Sequence, residues 1–216
     1  MRKDEDVMVY RGGRPEIVGL VPADARKVLD VGCSAGDVGL ALKDKCPCEV
    51  TGIEMDERLA EEASSKIDRV ITGDIETVDP GLEEGYFDHI LFADVLEHLK
   101  DPLEILKRYT RYLKDDGKLV ISVPNVRHIS VLCELVVRGE WEYRQSGIMD
   151  NGHLRFFTRK SFTRLLGEAR LSITGMERIF SLKGSRALNL LTLGLFLDTL
   201  TAQYVFIAEK AGKSNG

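Results

Sequence analysis

The sequence predicts an α/β fold whose strands run mostly parallel in one sheet. Two observations carry this. Short apolar, β-branched runs recur along about the first 125 residues with helical patterns between them, the order that parallel strands joined by helical crossovers require. Within that order, Val28-Leu29-Asp30-Val31-Gly32-Cys33-Ser34-Ala35-Gly36 reads as a buried strand reaching an acid, then a glycine turn, then the start of a helix. Such a turn lets a ligand lie against bare backbone at the carboxyl end of a strand.

The first strand is expected at Lys27–Val31, and the second at Glu49–Ile53. Asp56 is placed to cap the following helix, on which Leu59, Ala63 and Ile67 repeat every four residues. The third strand falls at Arg69–Thr72 and the fourth at Phe87–Ala93. Asp101-Pro102 is a helix start, a capping acid before a proline whose missing N–H costs nothing in the first turn. Leu103, Leu106, Thr110 and Leu113 continue one face of that helix, and Asp115-Asp116-Gly117 is read as its end and as the turn into a fifth strand, Lys118–Val123. Toward the end of the chain, Leu171–Phe180 and Gln203–Glu209 read as two more strands. No linker or internal repeat divides the chain, so residues 1–216 are expected to form a single domain.

Composition bounds the function. With 216 residues, 44% of them hydrophobic and 30% charged, the chain is globular and can bury a sizeable core. The net charge of -5 is made of scattered charges of both signs, which gives no basic stripe for nucleic acid. Cys33, Cys46, Cys48 and Cys133 suit a reduced compartment, and Cys46-Pro47-Cys48 alone does not make a zinc site, so no metal is expected. The charged start Met1–Asp6 has no apolar stretch behind it, and a cytoplasmic location is expected. Leu188–Leu200 is too short for the roughly 20 residues of a spanning helix. It is expected to be a packed helix, with contact to a membrane surface or to an oily acceptor as the alternative.

The turn after the first strand points to a nucleoside ligand. Glu54 follows Gly32 by 22 residues, where folds of this type place the acid that grips a ribose. The spacing of Gly32, Gly36 and Gly39 is not the G-x-G-x-x-G of dinucleotide binders, no tyrosine has a lysine four residues on, and no G-K-[ST] occupies the first turn. S-adenosylmethionine (SAM) fits better. It has no phosphate to cradle, and it offers a sulfonium, an amino group, two ribose hydroxyls and an adenine to carboxylates at strand ends. Asp30, Glu54, Asp74 and Asp94 are such carboxylates.

Taken together, Val28–Gly36, Gly52-Ile53-Glu54-Met55-Asp56, Gly73-Asp74-Ile75-Glu76, Phe87–Leu99 with its Asp94-Val95-Leu96-Glu97-His98-Leu99 ending, and Leu113–Asn125 resemble the class I SAM-dependent methyltransferases. The chain is similar to the small-molecule O-methyltransferases of ubiquinone biosynthesis and to methyltransferases of cell-surface glycan pathways. It departs from their pattern at Ser34, where a glycine is usual. The resemblance implies a Rossmann-like sheet of seven strands in the order 3-2-1-4-5-7-6, with the last strand antiparallel. It implies that Asp30, Gly32, Cys33 and Gly36 meet the amino-acid part of SAM, that Glu54 takes the ribose hydroxyls with Met55 beside it, and that Asp74 and Ile75 hold the adenine. Asp94 is implied near the methionine part and the acceptor, and the product is S-adenosylhomocysteine.

Between the fifth strand and the next helix, about residues 125–159, lies a segment the core fold does not require. It is expected to cover the site and to read the acceptor. It contains a helical pattern over His128–Val137, the single Trp141, and His153-Leu154-Arg155-Phe156-Phe157-Thr158, in which Thr158 is placed to cap a helix. A hydroxyl acceptor benefits from a base near neutral pH, most often histidine. His153 is the first candidate and His98 the second, whereas His89 and His128 are expected to be structural. Arg155 is placed either to bind an anionic acceptor or to pair with Asp150. The expected activity is methyl transfer to a small molecule, most simply O-methylation, by a monomer or homodimer. N-methylation and a catalytically silent SAM-binding subunit are the alternatives.

Overall fold

The structure is a computed structural model, and it describes residues 12–181 and 196–212. Seven strands form one sheet: β1 Lys27–Val31, β2 Glu49–Glu54, β3 Arg69–Thr72, β4 Phe87–Ala93, β5 Leu113–Pro124, β6 Leu171–Phe180 and β7 Thr201–Lys210. Their order is β3-β2-β1-β4-β5-β7-β6. The pairs among β1 to β5 are parallel, and β7 is antiparallel to both β5 and β6. The helices are α1 Pro15–Val18, α2 Asp37–Lys45, α3 Glu57–Ser64, α4 Pro102–Thr110, α5 Ile129–Cys133, α6 Arg159–Glu168 and α7 Leu197–Leu200. A π-helical turn, Glu134–Arg138, extends α5.

The two-residue period of the strands sorts their side chains onto two buried faces. Val28, Val50, Leu91, Val120 and Val205 pack on one side with Ile17 of α1 and Val38 and Leu42 of α2. Leu29, Ile53, Phe92, Ile121 and Phe206 pack on the other with Tyr109 of α4 and Phe162 of α6. Central strands covered on both faces explain why their sequence reads as nearly continuous apolar runs.

The capping expectations hold. The Asp56 carboxylate accepts from the N–H groups of Arg58 and Leu59, and Asp101 accepts from Glu104 N–H. Thr158 and Ser161 form a reciprocal capping box at the start of α6. The fifth strand differs from expectation. It begins at Leu113, and α4 has already ended at Thr110. The N–H groups of Gly85 and Phe87 bond the carbonyls of Arg111 and Tyr112 at 2.9 and 3.0 Å, which draws the chain to the sheet before Asp115 is reached. Leu113 then pairs with Phe87 and Lys118 with His89, so the expected turn at Asp115–Gly117 is a bulge inside β5.

Cys46 and Cys48 lie in the core as free thiols. No helix among the described residues is long and apolar enough to cross a membrane. The apolar stretch Leu188–Leu200 falls outside the described residues up to 195; within its remainder, α7 buries Leu200 while the preceding Phe196 is 46% exposed.

Candidate active site

The strand order sets the site. Because β3, β2, β1 and β4 are successive neighbours, Asp74, Glu54, Asp30 and Asp94 follow one another across the carboxyl edge of the sheet. Asp74 is exposed, and its Oδ1 accepts from Glu76 N–H at 2.8 Å; Ile75 beside it is buried. Glu54 is 8% exposed, and its two oxygens accept from Ser34 N–H and Asp56 N–H, each at 2.9 Å. This fixes the carboxylate between the glycine turn and the start of α3. Met55, next to it, is exposed. Asp30 is buried, and its Oδ2 has no hydrogen-bond partner. Burial, and then the nearby Glu54 carboxylate, pushes the Asp30 carboxyl up to about 7.

The turn itself uses the left-handed region repeatedly. Gly32 and Gly36 have φ of 75° and 80°, and a Cβ on Gly36 would stand 3.0 Å from the Ala63 backbone. Ser34 also has a positive φ, 49°, which explains why glycine is the usual residue here, and its buried hydroxyl has no partner. Burial, followed by the neighbouring Asp30 and Glu54, pushes the Cys33 thiol well above its ordinary range.

A cavity of about 280 Å³ opens beside this turn. Asp30, Gly32, Cys33, Asp94, His98 and His153 line it; Gly36, Glu54, Met55, Asp74 and Ile75 do not, and those on β2 and β3 extend the edge away from it. Sequence reasoning missed three of its other lining residues: Arg14, Glu97 and Gln203. Arg14 donates to Asp94 Oδ2 at 2.7 Å, Ser122 Oγ donates to Oδ1 at 2.8 Å, and the Gln203 side-chain amide also donates to Oδ1. Asp94 is therefore held on three sides, at a φ of 58°. Arg14 and Gln203 lie 80 and 109 residues from Asp94, with no local motif to signal them.

The segment after β5 closes over the cavity. The N–H groups of Leu154 and Arg155 both donate to the Glu97 carbonyl, at 2.8 and 2.9 Å, and His98 Nδ1 lies 3.0 Å from the Gly152 carbonyl. His153 Nδ1 lies 3.0 Å from the Ile148 carbonyl. A carbonyl only accepts, so in the neutral rings both Nδ1 atoms carry the proton and both Nε2 atoms present lone pairs. His153 Nε2 stands 4.0 Å from the Glu97 carboxyl, and the two rings meet edge to face at 4.7 Å. Glu97 is fully buried, neither of its carboxyl oxygens has a hydrogen-bond partner, and burial, then Asp94, pushes it well above the usual carboxylate range. Ligand atoms of Glu97, His98 and His153 all lie within 4.8 Å of one another, so this trio has the donor set for a divalent cation that the cysteines lack.

One sequence expectation resolves differently around this segment. Arg155 does not pair with Asp150; its guanidinium donates to the Lys100 carbonyl, because the two Glu97 bonds turn it toward that turn. Asp150 instead accepts from Gly152 N–H and shapes the loop. His128 is structural as expected, capping α5 and meeting Ser130 and Ser181.

Residues 12–174 match the family described as a methyltransferase domain. The chain belongs to that family. Among curated relatives, the methyltransferase is 27% identical over 190 residues to a ubiquinone biosynthesis O-methyltransferase of Paracidovorax citrulli, which covers 81% of this chain and 79% of the relative. It is 30% identical over 107 residues to (S)-coclaurine N-methyltransferase of Papaver somniferum, covering 46% of this chain and 30% of that one. Its fold is that of a SAM-dependent methyltransferase of Archaeoglobus fulgidus, with a TM-score of 0.66 at 20% identity over 95% of this chain and 94% of that one. A SAM-dependent methyltransferase of Mesorhizobium loti gives 0.66 at 16% identity, over 91% and 96% of the two chains. The protein is thus a class I SAM-dependent methyltransferase.

Proposed function

We propose that this methyltransferase moves a methyl group from SAM to a hydroxyl of a small molecule, with His153 as the base. The observation that carries the reading is the meeting of an imidazole nitrogen, His153 Nε2, and a buried carboxyl, Glu97, on the wall of the cavity that Asp30 and the glycine turn also line.

The residues fit SAM. The orphaned Asp30 Oδ2 answers an ammonium group, and Glu54, already fixed by two backbone N–H groups, keeps lone pairs for the two ribose hydroxyls. Asp74 and Ile75, next along the edge, suit the adenine amine and ring. Gly32, Cys33 and Gly36 let the amino-acid part approach backbone. When bound, SAM supplies an electrophilic methyl on a sulfonium, and S-adenosylhomocysteine remains after transfer. His153 Nε2 accepts the hydroxyl proton as the acceptor oxygen bonds carbon. The Ile148 carbonyl steadies the resulting imidazolium through Nδ1–H, and the buried Glu97 carboxyl stands 4.0 Å from Nε2. His98 packs on His153 and holds it in place. The segment over residues 125–159 excludes water and reads the acceptor through Ile148, Asp150 and His153, while Trp141 and Tyr143 gather on Phe156 at 5.2 and 6.1 Å outside the cavity lining.

N-methylation is the second reading. Glu97, with neither oxygen partnered, also suits the N–H groups of a neutral amine, which attacks through its own lone pair and needs less from a base. A library screen with labelled SAM separates the two, and any turnover excludes a silent subunit. In His153→Ala, SAM binding should persist while turnover of a hydroxyl acceptor falls at least about tenfold, a lenient bar below the 10²–10⁴ typical of a lost base. Full turnover in that variant would leave alignment alone as the mechanism.

A further inference from the structure

Beyond the cavity, four residues far apart in sequence converge on one carboxylate. Arg159 Nε reaches both oxygens of Asp198 at 3.2 and 3.3 Å, Arg127 Nη1 stands at 3.7 Å, and Arg178 Nη2 at 3.9 Å. The Tyr204 hydroxyl donates to the same carboxylate at 3.1 Å. Arg159 alone of the three guanidiniums is at hydrogen-bonding distance; the other two are held at ion-pair range only. Three positive charges against one negative leave an excess of two, in a chain whose net charge is -5. Among the described residues no second acid pairs with any of them. Arg178 Nε is also buried without an acceptor.

Such an excess is unfavourable by itself. Each guanidinium carries five N–H donors in a planar fork, and one carboxylate offers about four acceptor positions, some already taken by Arg159 and Tyr204. Clustered guanidiniums with surplus donors match the several oxygens and the double charge of a phosphoryl group.

The position of the cluster gives it a use. The Asn125 side-chain amide donates to the carbonyls of Asp198 and Thr201 at 2.6 and 2.7 Å, tying the cluster to the end of β5 and the start of β7. The adjoining residues of those strands, Pro124, Ala202 and Gln203, line the methyl-transfer cavity. The arginines therefore flank the cavity on the side away from the SAM carboxylates of β1 to β3.

We infer that Arg127, Arg159 and Arg178 form a phosphoryl-binding subsite, and that the acceptor is a phosphate- or diphosphate-bearing molecule. The part concerning the acceptor rests on the methyltransferase reading above; the anion site itself does not. Asp198 and Tyr204 space the guanidiniums, and the acceptor phosphoryl supplies the missing negative charge.

Calorimetry on the whole chain with inorganic pyrophosphate tests this, with S-adenosylhomocysteine titrated separately. Pyrophosphate should bind the unaltered protein at millimolar strength or better, and Arg127→Gln/Arg178→Gln should weaken it at least tenfold. Arg127→Gln alone changes a side chain 46% exposed, so it leaves the fold intact, and it should weaken pyrophosphate about threefold or more. Affinity for S-adenosylhomocysteine should be unchanged in both variants. Parallel titrations with a nucleoside diphosphate and a prenyl diphosphate distinguish a nucleotide-linked from a lipid-linked acceptor by which binds more tightly. No binding of any of these at several millimolar, or equal pyrophosphate binding by Arg127→Gln, would overturn the subsite. Pyrophosphate binding lost in the variants, in a protein that binds no S-adenosylhomocysteine, would keep the anion site and remove the methyl-donor reading.

Discussion

Glu54 can be altered in a way that separates cofactor binding from local folding. Its carboxylate has about four lone-pair positions. Two are used by Ser34 N–H and Asp56 N–H, and two remain. If these hold the ribose hydroxyls, as proposed, Glu54→Ala removes both ribose bonds. At about 1.5–2 kcal/mol for each charge-assisted bond, SAM should bind about 3–4 kcal/mol more weakly, a loss of several hundredfold. The same change strands two backbone N–H groups of a buried turn, at about 1–3 kcal/mol of fold stability each where water does not replace the partner. Glu54→Gln is the milder change, although its NH2 must face one of the two backbone N–H groups and so costs part of the staple as well. The amide keeps the shape and one oxygen, loses the charge, and should weaken SAM by about 1–2 kcal/mol, roughly 5–30-fold. Calorimetry with S-adenosylhomocysteine reads affinity, and thermal unfolding of the empty variants reads the staple. Unaltered affinity in a folded Glu54→Gln would leave Glu54 as a turn staple only and refute the ribose role.

Three further outcomes are expected. Ser34→Gly should stabilise the fold by about 1 kcal/mol, since relief of a left-handed serine (about 1–2 kcal/mol) exceeds the added chain entropy of glycine (about 0.5–1 kcal/mol); that raises Tm by about 2–4 °C, and a lowered Tm would mean the serine hydroxyl has a role of its own. SAM affinity should rise with pH up to about 7 and then level, being roughly tenfold weaker at pH 6 than at pH 8, because the raised Asp30 carboxyl must lose its proton to meet an ammonium. In the empty protein the sign is opposite: the folded state holds a proton that the unfolded chain has released, so Asp30 makes stability fall as pH rises from about 4 to 7, and affinity flat from pH 6 to 8 would remove Asp30 from the ammonium site. Phe162→Ala should cost about 3–5 kcal/mol in chemical denaturation, since this fully buried ring packs on Phe157 and Phe206 at 5.0 Å each; a loss under 1 kcal/mol would show that α6 collapses into the gap.

What was legible in the sequence follows the range of the interaction. The central strands, the caps at Asp56, Asp101 and Thr158, and the row of strand-end acids depend on neighbours a few residues away, so their spacing shows them. The start of β5 was not legible, because a contact with Gly85 and Phe87, more than twenty residues earlier, overrides the helical period through Leu113. Arg14 and Gln203 were invisible for the same reason, reaching Asp94 from opposite ends of the chain. Glu97 stood beside a histidine already singled out, and the adjacent pair Glu97-His98 was the signal available. The turn after β1 was legible to the residue: an observed departure, serine for glycine, marks a position of positive φ.

Cys33 gives that turn a further property. Cys33 is among the residues lining the cavity in which we propose that the methyl donor binds. A thiolate there would be a better nucleophile than any hydroxyl and would be alkylated in place of the acceptor. Burial, followed by Asp30 and Glu54, disfavours that thiolate, so with the methyl donor bound there Cys33 would be a neutral thiol and a poor competitor for the methyl group.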